Sequence, residues 1–288
     1  MSKRIEKLNA ASGVIQTARG PVETLITGEG PAVVVLHGAL GGYDRARVYS
    51  FPEAGFKFIC PSRPGYLRTP LSSGITAEEQ ADLTAVLLNE LGIEQAAVIG
   101  CSAGGPVAVH FSIRHPHRCW GLVMGNAINA PIPGLFDLVT PLARAFFQWD
   151  WLTWLGVNRF VLFLLQPSLG LQTFADPGKQ ARILSMLRSI HPTSVRREGF
   201  INDMNQFQQR DGYPLENITA PAMVVHGTRD VVVPYHQGEE SARRIPSAKF
   251  LSVNGGTHLC FISHQEQVKP ALVKFLKQHQ PNNDLKKN

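Results

Sequence analysis

Ser102, Asp230 and His258 have the residue types and the chain order of a nucleophilic centre. Ser102 stands in Gly100-Cys101-Ser102-Ala103-Gly104, between an apolar run and a helix-like pattern, with no polar loop on either side. An ordinary turn needs one glycine for a positive φ and has no use for the serine. The arrangement suits a serine held on a sharp, strained turn and exposed at the edge of a sheet. A free hydroxyl is a poor nucleophile, so attack on a carbonyl carbon calls for three more parts: a base, a carboxylate that orients it, and donors for the developing oxyanion.

Among the ten histidines, His258 has the context of the base, in "VNGGTHLCF", where a strand breaks at Gly255-Gly256 and a loop follows. His110, His115 and His117 read as surface or helix-end residues, and His37 and His226, each before a glycine at a strand end, as structural hydrogen-bonding residues. Asp230, in "AMVVHGTRDVVVP", follows a buried strand and lies between Ser102 and His258. An aspartate there could simply form an Asx turn. The other loop suited to an acid, "NAINAP" after residue 125, contains none. The backbone N–H of Ala103, at the start of a helix where the dipole favours negative charge, is one expected oxyanion donor. The second is Ala39, with Leu40 a further contributor, and Gly41 and Gly42 keep that loop small enough to approach the serine.

These residues need a scaffold. Apolar runs predict strands at 13–19, 22–27, 32–36, 56–60, 96–99, 121–125, 222–226 and 249–253. Helical patterns fall between them: one opening with a capping-type Thr76-Ala77-Glu78-Glu79, then 105–114, 237–244 and 265–278. Strands apolar throughout, alternating with helices, imply an α/β fold with a mostly parallel central sheet of about eight strands covered on both faces. From 131 to 211 no strand is expected. Phe136, Phe146, Phe147, Trp149, Trp151, Trp154, Phe160, Phe163 and Phe174 make that stretch an aromatic, helical insertion able to line a ligand pocket as well as pack.

The chain has 288 residues, 44% hydrophobic and 17% charged, enough for a sizeable core, and its net charge of +6 is scattered apart from a basic tail at Lys286-Lys287. Scattered charge argues against nucleic-acid binding. The four cysteines show neither C-x-x-C pairing nor zinc spacing, so no metal is expected, and their apolar settings suit a reducing compartment. No secretory signal is evident, and the longest purely apolar run, 160–165, is too short to span a bilayer. These features point to a cytoplasmic protein without a transmembrane segment.

Ser…Asp…His in that order, with G-x-S-x-G after one strand and His37-Gly38 after an earlier one, resembles the α/β-hydrolase fold from about residue 13 to 278. The resemblance implies a core of residues 1–130 and 215–288, a helical cap over 131–214, and a serine hydrolase without cofactor that cleaves carboxylic esters through an acyl-enzyme. The loop His37-Gly38-Ala39-Leu40-Gly41-Gly42 departs from the His-Gly-Gly-Gly of hormone-sensitive-lipase-like esterases, and a serine nucleophile separates the chain from haloalkane dehalogenases and epoxide hydrolases. Cys101 alternates toward the sheet and reads as structural. Similar triads in this fold also serve lactonases, carbon–carbon bond hydrolases, perhydrolases and cofactor-free lyases, and some relatives are receptors. An apolar cap favours a small to medium hydrophobic ester, while Arg144, Arg159, Arg182 and Arg188 leave a carboxylate-bearing substrate open. The insertion's apolar surface would serve a homodimer equally well.

Overall fold

A computed structural model describes residues 2–131, 150, 177–207, 212–246 and 248–281. Within them eight strands form one sheet: β1 (Gly13–Thr17), β2 (Gly20–Thr27), β3 (Ala32–Leu36), β4 (Lys57–Pro61), β5 (Ala96–Cys101), β6 (Cys119–Gly125), β7 (Ala222–Gly227) and β8 (Lys249–Val253). Their spatial order is β1-β2-β4-β3-β5-β6-β7-β8. Only β2 runs against its neighbours; every other pairing is parallel. The described helices are α1 (Ser2–Ala10), α2 (Tyr43–Ala46), α3 (Ala77–Glu90), α4 (Gly105–Arg114), α5 (Pro177–Ser189), α6 (Arg197–Phe207), α7 (Tyr235–Arg244), α8 (Cys260–Ser263) and α9 (Gln265–His279).

The central strands are apolar at every position because each of their faces meets a helical layer. Val33 and Val35 point into a cluster with Phe58, Ile99, Val123 and Val225, closed by Leu272 and Phe275 of α9. Val34 and Leu36 point the other way, toward Val98, Leu122 and Val224, with Leu87 and Leu88 of α3 and Phe111 of α4. Burying each such side chain contributes about 1.5–3 kcal/mol. Cys101 belongs to the first cluster and is buried, which agrees with its structural reading. Helix α3 begins as its sequence predicts: Thr76 Oγ1 accepts from the Glu79 amide at 3.2 Å, and the Glu79 carboxylate accepts from the Thr76 amide at 3.0 Å.

Strands β3 and β8 match the sequence reading at both ends, and the other six differ from it by one or two residues at an end. Helix α1, in a stretch the sequence suggested no helix for, is short for its own stability and gains it by docking: its Leu8 carbonyl accepts from the Tyr43 hydroxyl at 2.6 Å. His110 is a correction. It lies inside α4, is buried, and sits 3.4 Å from Glu78. In the insertion, α5 and α6 are helical as expected, and the described residues there contain no strand. The aromatic residues from Phe136 to Phe174, Arg144, Arg159 and the tail at 286–287 lie outside the described residues. Among the described residues, no helix is long and apolar enough to cross a membrane.

Parallel strands present their carboxyl ends at one edge, where an open α/β sheet gathers its functional groups. Strand β3 ends before His37-Gly38-Ala39, β5 before Ser102, β6 before Asn126, β7 before Asp230, and β8 before His258.

Candidate active site

Ser102 joins β5 to the turn that leads into α4, with φ of 51°. For a non-glycine residue that conformation costs about 1–3 kcal/mol. It is the serine, and neither flanking glycine, that takes the left-handed backbone. The glycines serve close approach instead. A Cβ on Gly100 would lie 2.6 Å from Ala108 Cβ, and one on Gly104 would overlap the Leu36 and His37 carbonyls. The helix therefore starts directly against β3, and the hydroxyl is lifted off the sheet edge.

His258 faces that hydroxyl from the loop between β8 and α8. Its Nε2 accepts from Ser102 Oγ at 3.0 Å, and its Nδ1–H donates to Asp230 Oδ2 at 2.8 Å. An ionised carboxylate only accepts, so this pairing places the ring proton on Nδ1. Asp230 divides its labour between its oxygens. Oδ1 accepts from the amides of Val232 (2.9 Å) and Val233 (3.0 Å), which is the Asx turn of the alternative sequence reading, while Oδ2 serves the histidine. Burial raises the Asp230 pKa, but the opposing His258 charge and the contacts from His226, His258 and Asn126 outweigh it and hold the carboxyl well below its ordinary range.

Of the two strand-end histidines, His226 lends its Nε2–H to the Val233 carbonyl at 2.9 Å and lies 3.4 Å from Asp230 Oδ2. It is structural, as read, but it also touches the acid. His37 Nε2 accepts from the Arg63 amide at 2.9 Å, and Nδ1 contacts the Gly38 carbonyl at 2.7 Å. Burial, then the Arg63 charge, lower its pKa well below the usual histidine value and keep it neutral.

The loop after His37 reaches the serine through Gly38, where a Cβ would come within 2.9 Å of Ser102 Cβ. This corrects the expectation for Gly41 and Gly42: Gly41 packs on the His37 ring, and Gly42 lies near Leu67, Asp44 and Arg196. Ala103 is the second residue of the turn, a position whose N–H has no partner within the turn. Neither its amide nor that of Ala39 donates to another described backbone group. Leu40 has φ of 54° and Asn126 46°, so three of the four described non-glycine residues with positive φ border this site.

Two ion pairs fix this loop, one buried on both sides and one between a buried arginine and a partly exposed aspartate, and the sequence signals neither. Arg63, just after β4, donates to both oxygens of Asp203 on α6 at 2.9 and 2.5 Å and to the His37 carbonyl at 2.9 Å. Tyr66 also donates to Asp203 Oδ2, at 2.5 Å. In the reverse direction, fully buried Arg196 donates to both oxygens of Asp44 at 2.9 and 2.8 Å and to the Gly41 carbonyl. Each segment thus supplies one arginine and one aspartate. Asn126 is no carboxylate and so carries no sequence signal of a triad acid, yet its buried amide donates to Asp230 Oδ2 at 2.6 Å. Among the described residues, no group of three or more His, Cys, Asp or Glu side chains is disposed to hold a metal ion.

The chain belongs to the α/β-hydrolase fold family, whose model matches residues 31–265. It is similar to the pimeloyl-[acyl-carrier protein] methyl ester esterase of Chromobacterium violaceum, at 30% identity over 88% of this chain and 97% of that one. The 2-hydroxy-6-oxononadienedioate/2-hydroxy-6-oxononatrienedioate hydrolase of Paraburkholderia phymatum is 28% identical over 93% of this chain and 96% of its own. Among solved structures, an α/β-hydrolase fold protein from Nakamurella multipartita matches with a TM-score of 0.73 and 31% identity, covering 92% of this chain and 99% of that one. The chain is a hydrolase of this fold.

Proposed function

We propose that the protein is a carboxylic ester hydrolase acting through Ser102, His258 and Asp230. The observation that carries this reading is the continuous contact from Asp230 Oδ2 through both ring nitrogens of His258 to Ser102 Oγ, at 2.8 and 3.0 Å. In the first step Ser102 Oγ bonds to the acyl carbon, and its proton passes to His258 Nε2. Asp230 holds the ring in the Nδ1–H tautomer and stabilises the imidazolium. The amides of Ala39 and Ala103 donate to the tetrahedral oxyanion. His258 returns the proton to the departing alkoxide, leaving an acyl-enzyme and an alcohol. Water deprotonated by the same nitrogen then releases the acid and restores Ser102.

The insertion over 131–214 is the cap of this site. Its support is the crossed Arg63–Asp203 and Arg196–Asp44 pairing, which ties α6 and the turn before it to the loop beside Ser102. An aromatic cap suits a hydrophobic acyl or alcohol group, in line with the methyl ester in the name of the Chromobacterium relative. Four free, buried cysteines suit a reducing, cytoplasmic setting. A second reading rests on the Paraburkholderia relative, whose name carries a keto-diacid: the same three residues would then release a carbon leaving group.

The test is hydrolysis of p-nitrophenyl esters from acetate to palmitate by the wild type and Ser102→Ala. The expected outcome is turnover that falls about 10⁴- to 10⁶-fold in the variant, with a chain-length optimum that sizes the space under the cap. Folded wild type inert on the whole series, yet active on a vinylogous keto-diacid, would replace the ester reading with the second one.

A further inference from the structure

We infer that Asn126 is a positioning residue of the proposed triad, holding the acid and the base loop in register through the two ends of one amide. This rests on the triad reading above. Asn126 occupies the first position after β6, where a left-handed φ of 46° suits asparagine better than most side chains. Its Nδ2 donates to Asp230 Oδ2 at 2.6 Å and to the Thr257 carbonyl at 3.2 Å. Its Oδ1 accepts from the Cys260 thiol at 2.9 Å. Residues 257 and 260 flank His258, so the amide spans the acid and both sides of the base. Two residues on, the Ile128 amide donates to the Ser102 carbonyl at 3.2 Å. One short loop thereby touches the segments that bear all three members.

The amide type matters. An aspartate at this position could accept from Cys260 but, when ionised, could not donate to Asp230. The groups facing Asp230 are His258, Asn126 and, from β7, His226; Cys260 approaches from α8, and the adjacent Arg229 points to solvent. The Asn126 N–H is therefore the neutral donor that draws off negative charge from the oxygen His258 shares. Without it, that oxygen loses the donor that fixes it opposite the ring, and the His258 loop loses its tie to the acid.

The experiment is proton NMR of the His258 Nδ1–H, the downfield proton of its bond to Asp230, in the wild type, Asn126→Gly and Asn129→Ala, together with kcat and KM on the best ester. Glycine accepts the positive φ, so Asn126→Gly removes the amide without adding backbone strain. Asn129 lies in the same loop, is buried, and bonds to Gln237 and Ser241, away from the triad. The expected result is that the downfield resonance moves or is lost in Asn126→Gly. With it, kcat falls about 10-fold or more while KM changes by less than about threefold. Asn129→Ala lowers Tm but leaves the resonance in place. An unmoved resonance in Asn126→Gly, or an equal change in Asn129→Ala, overturns the inference and reduces Asn126 to a structural residue. Because the resonance needs no turnover, that failure is separate from failure of the triad reading, which Ser102→Ala reports by itself.

Discussion

The turn that carries Ser102 is shaped mainly by close packing at its own ends: Gly100 against Ala108, Gly104 against the end of β3, and a strained serine between them. The loop from His37 to Asp44 meets the same serine but is held from afar, by Arg63, by the Tyr66 ring edge-on to His37, and above all by Arg196, which is 155 positions from Gly41. The first is a matter of small residues and sterics. The second is a matter of buried charge, worth keeping only while every partner is present. A site assembled from both kinds of support should fail in two distinguishable ways.

The largest effect is expected at the long-range end. Arg196→Met leaves the Gly41 carbonyl and the partly exposed Asp44 carboxylate without their donor; breaking a fully buried pair costs about 3–5 kcal/mol, and water at Asp44 brings the expected loss to the lower end of that range. Chemical denaturation should report that loss, and kcat should fall with it as the loop loosens. Arg196→Lys should recover only part, since an ammonium cannot match the two-pronged bond to Asp44. Equal stability of Arg196→Met and wild type would mean that the loop does not depend on this pair.

Gly104→Ala attacks the local end. Its methyl must displace the Leu36 and His37 carbonyls. Overpacking of this kind costs about 1–3 kcal/mol, and a 1 Å displacement of the serine costs about 100-fold in rate. Here kcat should suffer out of proportion to Tm, the reverse of Arg196→Met. A proportionate loss in both variants would erase the distinction between the two supports.

The loop and the acid of the proposed triad should also part in their response to acid. His37 is neutral when folded because burial and Arg63 lower its pKa, yet it titrates near 6.5 once unfolded. Between those values the unfolded chain binds the extra proton, so the contribution is full above about pH 6.5 and declines as pH falls below it. Asp230 acts lower. Its depressed carboxyl contributes fully above about pH 4, near the unfolded aspartate value, and loses that contribution as pH falls further. Tm measured from pH 7.5 to 4.5 should slope less in His37→Gln than in wild type, and parallel curves would remove His37 as the cause. Smallest of all is Lys269→Ala. Its exposed pairing with Glu53 lies outside both regions, and an exposed ion pair contributes about 0–1 kcal/mol. Turnover should match the wild type, and a measurable loss would implicate the α9 surface in the site.

The same division marks what the sequence could tell. Ser102, Asp230 and His258 were legible because each stands at the end of an apolar strand and their chain order has few chemical uses. The parallel sheet was legible from strands apolar at every position, and the start of α3 from Thr76 and Glu79. These are patterns of near neighbours, and steric and hydrophobic preferences act over a few residues. The roles of Gly38, Asn126, Tyr66 and the two arginine–aspartate pairs were not legible. Nothing local distinguishes Arg196 from the adjacent Arg197, or Asp203 from an ordinary helix-surface aspartate. Only the folded chain removes water from Arg63, Asp203 and Arg196 and makes each partner obligatory, and the strand order that brings β3, β5, β6 and β7 edge to edge decides which partner that is.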